Sequence, residues 1–105
     1  MTDTPRRPVR VGLIKSVPVK WDLAANWRTF EELLARAAGR GAQIVCTPEC
    51  YLDGYVAPDE SGWPEPGFRQ VAQALDGEYI TAARRLAERH GVYLVFGFTE
   101  RAAAG

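Results

Sequence analysis

Apolar residues fall into three short β-like runs separated by two stretches with helical spacing, a pattern that predicts a small α/β unit. Val9–Ile14 is rich in β-branched residues and lies between Pro8 and Pro18, so a first strand is expected over residues 9–14. Asp22 offers an N-cap. Trp27, Phe30, Leu33, Leu34, Ala37 and Ala38 then recur along one helix face until Gly39 and Gly41 close the element. Arg28, Glu31, Glu32, Arg36 and Arg40 fall largely on the other side, as a solvated face requires. Gln43–Thr47 predicts a second strand, apolar at Ile44, Val45 and Cys46 and stopped by Pro48. The region from Pro48 to Gly67 carries Pro58, Gly62, Pro64 and Pro66 with Tyr51, Tyr55 and Trp63. A connection that long with three aromatics predicts an ordered loop packed near a site. Phe68–Leu75 suits a short helical segment, and Glu78–His90 a clearer helix with Ile80, Ala83, Leu86 and Ala87 on one face and Gly91 as its stop. Val92–Phe98 is apolar without alternation, the mark of a strand covered on both faces, and Thr99–Gly105 is expected to trail off without a further element.

Strand, helix, strand, helix, strand with crossovers of this length implies parallel pairing and right-handed connections, which put both helices on one side of the sheet. The other side then needs a cover from another layer or another subunit.

Composition narrows the function classes. The chain has 105 residues, with 13 basic and 13 acidic side chains cancelling, so no charge field marks a nucleic-acid partner. Arg6, Arg7 and Arg10 cluster beside two prolines, and residues 1–8 read as a disordered, solvated tail ahead of a domain spanning 9–105. No apolar run approaches the ~20 residues that span a bilayer, and residues 1–8 contain no signal-peptide core. A cytoplasmic protein with no membrane partner is expected. Cys46 and Cys50 form neither a CxxC pair nor, with His90 the only histidine, a zinc set, so no metal, cofactor or disulfide is expected.

Glu49 carries the chemical interest. It follows Pro48 at the carboxyl end of the second predicted strand, where open parallel sheets place their reactive groups, and it is expected to enter a crevice at that rim. Cys50, next in an extended backbone, should face away from that crevice, and Cys46 reads as a small core residue. Lys15 and Lys20, the only lysines, read as solvated, and His90 suits a helix C-terminus. Tyr55 and Tyr51 either line a substrate pocket or pack the loop.

These residues, in this order, resemble the N-terminal part of the nitrilase superfamily, the carbon-nitrogen hydrolases. The likeness runs from Val9–Ile14 through Pro18, Asp22, Asn26 and Gly41-Ala42 to Pro48-Glu49-Cys50-Tyr51-Leu52-Asp53-Gly54-Tyr55, and ends at Val95–Arg101. It implies the N-terminal β-α-β-α-β part of a nitrilase-like α-β-β-α sandwich, truncated, in a family whose members are often homo-oligomers.

The resemblance also implies an activity: hydrolysis of carbon-nitrogen bonds other than peptide bonds through a Glu-Lys-Cys triad. Glu49 is the implied general base, with Tyr55 the candidate substrate contact beside it; the family's lysine and cysteine match no position here. An amidase or carbamoylase acting on a small linear amide is the expected type, with a nitrile also within the class. Lys15-Ser16 and Thr47 depart from the family pattern and leave open whether the chain is a nitrilase, an aliphatic amidase, an omega-amidase or an N-carbamoyl amino-acid amidohydrolase. By itself this chain is expected to turn nothing over. The alternative is a non-catalytic α/β binding module in which Glu49 caps a loop.

Overall fold

The computed structural model describes residues 6–56 and 67–102. Among these residues six elements follow one another: β1 (Val11–Leu13), α1 (Leu23–Gly39), β2 (Ile44–Cys46), α2 (Phe68–Val71), α3 (Glu78–His90) and β3 (Tyr93–Val95). The strands form one sheet in the order β1-β2-β3, and both pairings are parallel. Val11, Ile44 and Tyr93 stand in register, as do Gly12, Val45 and Leu94, and Leu13, Cys46 and Val95.

Local chemistry sets the ends of the helices. Asp22 accepts the Ala25 N–H at 3.0 Å and starts α1, and Gly91, in the left-handed region at φ 65°, closes α3. The apolar stripe of α1 buries Phe30 and Leu34 completely against Val45 and Tyr51. Each such side chain contributes about 1.5–3 kcal/mol by leaving water. Trp27, Phe30, Tyr79 and Phe96 join the two helices to the exit of β3, with the Phe30 and Phe96 rings 4.7 Å apart and those of Trp27 and Tyr79 5.6 Å apart.

Helices α1 and α3 cover the Gly12-Val45-Leu94 side of the sheet. The opposite side is bare: Leu13 is 75% exposed and Tyr93 80%, with Val11 and Val95 also exposed. This is the apolar surface that the unbroken hydrophobic character of the third strand led us to expect.

Several boundaries differ from the sequence reading. Each strand has three residues in the ladder instead of five to seven. Phe96–Phe98 leaves the sheet because the Gly97 N–H turns to the Thr47 hydroxyl at 2.7 Å. The helical segment expected over 68–75 stops at Val71, where Ala72 becomes extended. Gln73 and Glu100 then form an isolated parallel bridge, with the Gln73 N–H on the Thr99 carbonyl at 2.7 Å and the Arg101 N–H on the Gln73 carbonyl at 2.8 Å. Thr99–Arg101 is thus tied to Gln73 although no further helix or strand follows β3 among the described residues, and residues 103–105 lie outside them.

The expected long loop is described only in part. Residues 48–56 are ordered, with Tyr51, Leu52 and Asp53 buried, whereas Pro58, Gly62, Trp63, Pro64 and Pro66 lie outside the described residues. The expected tail lies outside them at residues 1–5, and its remainder, Arg6 to Pro8, is exposed. Among the described residues, no helix is long and apolar enough to cross a membrane.

Candidate functional site

The turn that carries Glu49 is gripped from two sides. On the β3 side the Thr47 N–H donates to the Val95 carbonyl at 3.0 Å, and Pro48, lacking an N–H, ends the ladder. Leu52 N–H then reaches the Gly97 carbonyl at 3.1 Å. Gly97 has to be a glycine: a methyl there would run into the Pro48 carbonyl oxygen and stand 2.8 Å from the Cys50 nitrogen. On the α1 side, the buried amide of Asn26 accepts from the Val19 N–H at 2.7 Å and donates to the Val19 and Leu52 carbonyls at 2.8 and 2.9 Å. The Trp21 N–H completes this grip on the Asp53 carbonyl at 3.0 Å.

Backbone strain gathers here as well. Trp21 (φ 68°), Cys50 (φ 48°) and Tyr55 (φ 58°) are the non-glycine residues with positive φ among those described, and all three flank or lie within the turn. Such conformations cost on the order of 1 kcal/mol each and persist only where surrounding contacts over-determine them, which is commonest at functional sites. Gly54, at φ 82°, completes the turn where a methyl would lie 2.5 Å from the Lys20 Cα.

Glu49 itself stands at the carboxyl-terminal rim of the parallel sheet, directly after Pro48. Its side chain is exposed and meets the Tyr55 hydroxyl, which donates to Oε2 at 3.5 Å, the outer limit of a hydrogen bond. The crevice anticipated around it is therefore not seen among the described residues, where Tyr55 is the one side chain hydrogen-bonded to Glu49. Tyr51 takes the opposite role. It is fully buried in the core and donates to Ser16 Oγ at 3.1 Å, so it packs the loop. A groove of about 550 Å³ runs along the open edge of β1, past Arg10, Leu13, Lys15, Arg36 and Arg40, but no residue of the Glu49 turn lines it.

The remaining candidates are dispersed. Lys15 and Lys20 are exposed, and His90 ends α3. Cys46 and Cys50 are free thiols, and Cys46 lies on the uncovered side of the sheet instead of in the core, because it shares a row with Leu13 and Val95. Cys50 sits in a left-handed turn, so strand alternation does not decide its direction. Its sulfur lies 3.9 Å from Thr99 Oγ1.

Burial pushes the Cys50 thiol above its ordinary value; the Thr99 hydroxyl opposes this, and the Asp53 and Glu49 charges add to it. A raised thiol favours the protonated folded form, so this contribution to stability is complete below the unfolded value near ~8.5 and is lost as pH rises through the folded value. Iodoacetamide at pH 8.5, followed by site-resolved mass spectrometry, is expected to modify Cys50 several-fold more slowly in the folded chain than in urea. Equal rates would contradict this environment.

Sequence reasoning missed Asp53, Thr99 and the structural role of Asn26. Asp53 is completely buried; its Oδ1 accepts from Thr99 Oγ1 at 3.0 Å and its Oδ2 from the Val56 N–H at 3.2 Å. Asp-Gly in a loop signals a turn and says nothing about burial, so the pattern alone could not have found it.

Comparison with known proteins agrees with this architecture. Residues 10–105 match the family model described as carbon-nitrogen hydrolase. The chain is 32% identical to a bromoxynil-specific nitrilase of Klebsiella pneumoniae subsp. ozaenae, covering 89% of this chain and 28% of that enzyme. It is 34% identical to an arylacetonitrilase of Aspergillus oryzae, over 95% of this chain and 31% of the other. Its backbone superposes on an amidase from Nesterenkonia sp. with a TM-score of 0.62 at 24% identity, over 84% of this chain and 31% of the amidase. The chain thus spans about three-tenths of the length of these relatives, and its fold is the N-terminal β-α-β-α-β part of the nitrilase-like sandwich. These matches do not favour the reading as a non-catalytic binding module, and the chain belongs to the carbon-nitrogen hydrolase family.

Proposed function

We propose that this chain supplies the general base, Glu49, of a Glu-Lys-Cys hydrolase whose substrate is a small nitrile. One observation carries the reading: a turn held by backbone and buried side-chain hydrogen bonds delivers a single free carboxylate to the carboxyl-terminal rim of a parallel sheet. The named nitrilases and arylacetonitrilases among the relatives support a nitrile, and an aryl-substituted one, over the small linear amide expected from the sequence.

In this reaction Glu49 accepts the proton of a cysteine thiol as the sulfur attacks the nitrile carbon. A lysine ammonium stabilises the negative charge that develops on the nitrile nitrogen, a role often worth about 3 kcal/mol per donor. Addition of water to the resulting thioimidate and loss of ammonia leave a thioester, and a second water releases the carboxylic acid and restores the thiol. Tyr55 forms part of the substrate wall beside the base. Neither cysteine of this chain suits the nucleophile: Cys50 has a raised thiol paired with Thr99, and Cys46 sits on the open sheet face. The 105-residue chain alone therefore performs no turnover. We place the protein in the cytoplasm, in keeping with two free thiols, and take its active form to be a homo-oligomer.

Ammonia release tests this. The product of the whole open reading frame that encodes these residues is expected to hydrolyse phenylacetonitrile, and residues 1–105 alone are expected to release none. Hydrolysis by residues 1–105 alone, or faster hydrolysis of the matching amide than of the nitrile, would overturn the assignment.

A further inference from the structure

Asp53 is the one acidic side chain among the described residues that is buried, and its contacts join three segments of the chain. Its peptide carbonyl takes the Trp21 N–H ahead of α1 at 3.0 Å. One carboxylate oxygen takes the Val56 N–H at 3.2 Å, within the Glu49 turn. The other takes the Thr99 hydroxyl at 3.0 Å, on the segment leaving β3. Thr99 is anchored in turn, since its carbonyl accepts the Gln73 N–H at 2.7 Å.

A hydroxyl hydrogen serves one acceptor at a time. The carboxylate at 3.0 Å takes it in preference to the Cys50 sulfur, which lies at the edge of the Thr99 oxygen's reach at 3.9 Å. The order is thus thiol, hydroxyl, carboxylate, and it begins at the residue that follows Glu49. Burying a carboxylate without a cation costs several kcal/mol unless each oxygen is hydrogen-bonded. Here both are. A surface turn has no need of such an arrangement, because Asn or Ser forms an equivalent turn with no charge to bury.

We propose that Asp53 and Thr99 are positioning residues for Glu49: the buried carboxylate-hydroxyl pair locks the strained Cys50–Tyr55 turn to the exit of β3, which fixes where the Glu49 carboxylate stands on the rim. This rests on the reading of Glu49 as the base, yet it is tested separately from it.

The test uses the 105-residue chain labelled with 13C-glutamate and 15N. In Thr99→Val, the Glu49 carboxyl resonance is expected to move and its cross-peak with the Tyr55 ring to weaken at least twofold. The Leu52 and Val56 amides are expected to exchange at least tenfold faster relative to amides inside α1. Thr99→Ser restores all three readings. Ala83→Gly, which weakens α3 far from the turn, lowers the melting temperature and moves none of them. Where Thr99→Val does not fold, Asp53→Asn carries the test, because with its one oxygen on the Val56 N–H its NH2 meets the Thr99 oxygen and the carboxylate-hydroxyl pair is lost. Unchanged Glu49 and Tyr55 signals in the folded variant, or equal changes in Ala83→Gly, would overturn the proposal. Hydrolysis assays bear on Glu49 as base; these resonances and exchange rates bear on the brace alone.

Discussion

Asn26→Ala is expected to destabilise the chain by about 4 kcal/mol, the largest effect of any single polar substitution here. The amide is buried and makes three hydrogen bonds, to the Val19 N–H, the Val19 carbonyl and the Leu52 carbonyl. Alanine removes all three and leaves backbone groups without partners, each costing about 1–3 kcal/mol where water cannot replace the amide. A domain of this size holds on the order of 5–10 kcal/mol, so the variant approaches unfolding, with a melting temperature lower by roughly 15–30 °C. Asn26→Asp is no remedy. It keeps an acceptor for Val19 N–H but loses both donors and buries a charge. Urea titration checks the size of the effect, and a loss below ~1 kcal/mol would show that Asn26 does not hold the two loops together.

Gly97→Ala is the second large effect, and it acts on both stability and the site. The added methyl meets the Pro48 carbonyl oxygen, the Cys50 nitrogen at 2.8 Å and the Glu49 carbonyl carbon at 3.1 Å. All three are backbone atoms, so no side chain can swing aside, and the Pro48–Cys50 segment has to move away from the exit of β3. Overpacking of this kind costs about 1–3 kcal/mol. A shift of about 1 Å in a proton acceptor reduces rate by around a hundredfold. The urea midpoint of the chain reads the first effect, and kcat of the whole reading-frame product reads the second. Gly39→Ala is the control, since a methyl there meets nothing within 4 Å and alanine suits a helix. Equal behaviour of the two variants would remove the steric argument.

Hydrophobic period made the core of the fold legible. The stripe through Phe30 and Leu34, the Asp22 cap, the Gly91 stop and the parallel pairing of three strands all follow from spacing and punctuation. Strand ends were not legible, because pairing stops where a tertiary partner captures a backbone group, as Thr47 does with Gly97. Propensity sees Phe96–Phe98 as strand and has no means of seeing that competition.

The site divides along the same line. Glu49 was marked by its place after Pro48, and Tyr55 by the Gly-Tyr pair, and the structure brings the two together. Cys46 was misjudged because a three-residue apolar strand does not reveal which side will be covered. Asp53 and Thr99 lie 46 positions apart, and only the fold brings their side chains into contact. Nothing near either one in sequence points to the other.

The central claim concerns one proton acceptor, and kcat for nitrile hydrolysis by Glu49→Gln in the whole reading-frame product tests it most directly. Loss of a general base lowers kcat by about 10²–10⁴-fold, and because Glu49 is exposed the melting temperature should stay within about 2 °C. A Glu49→Gln protein that keeps kcat within threefold of the parent, folded and at unchanged KM, would contradict the account.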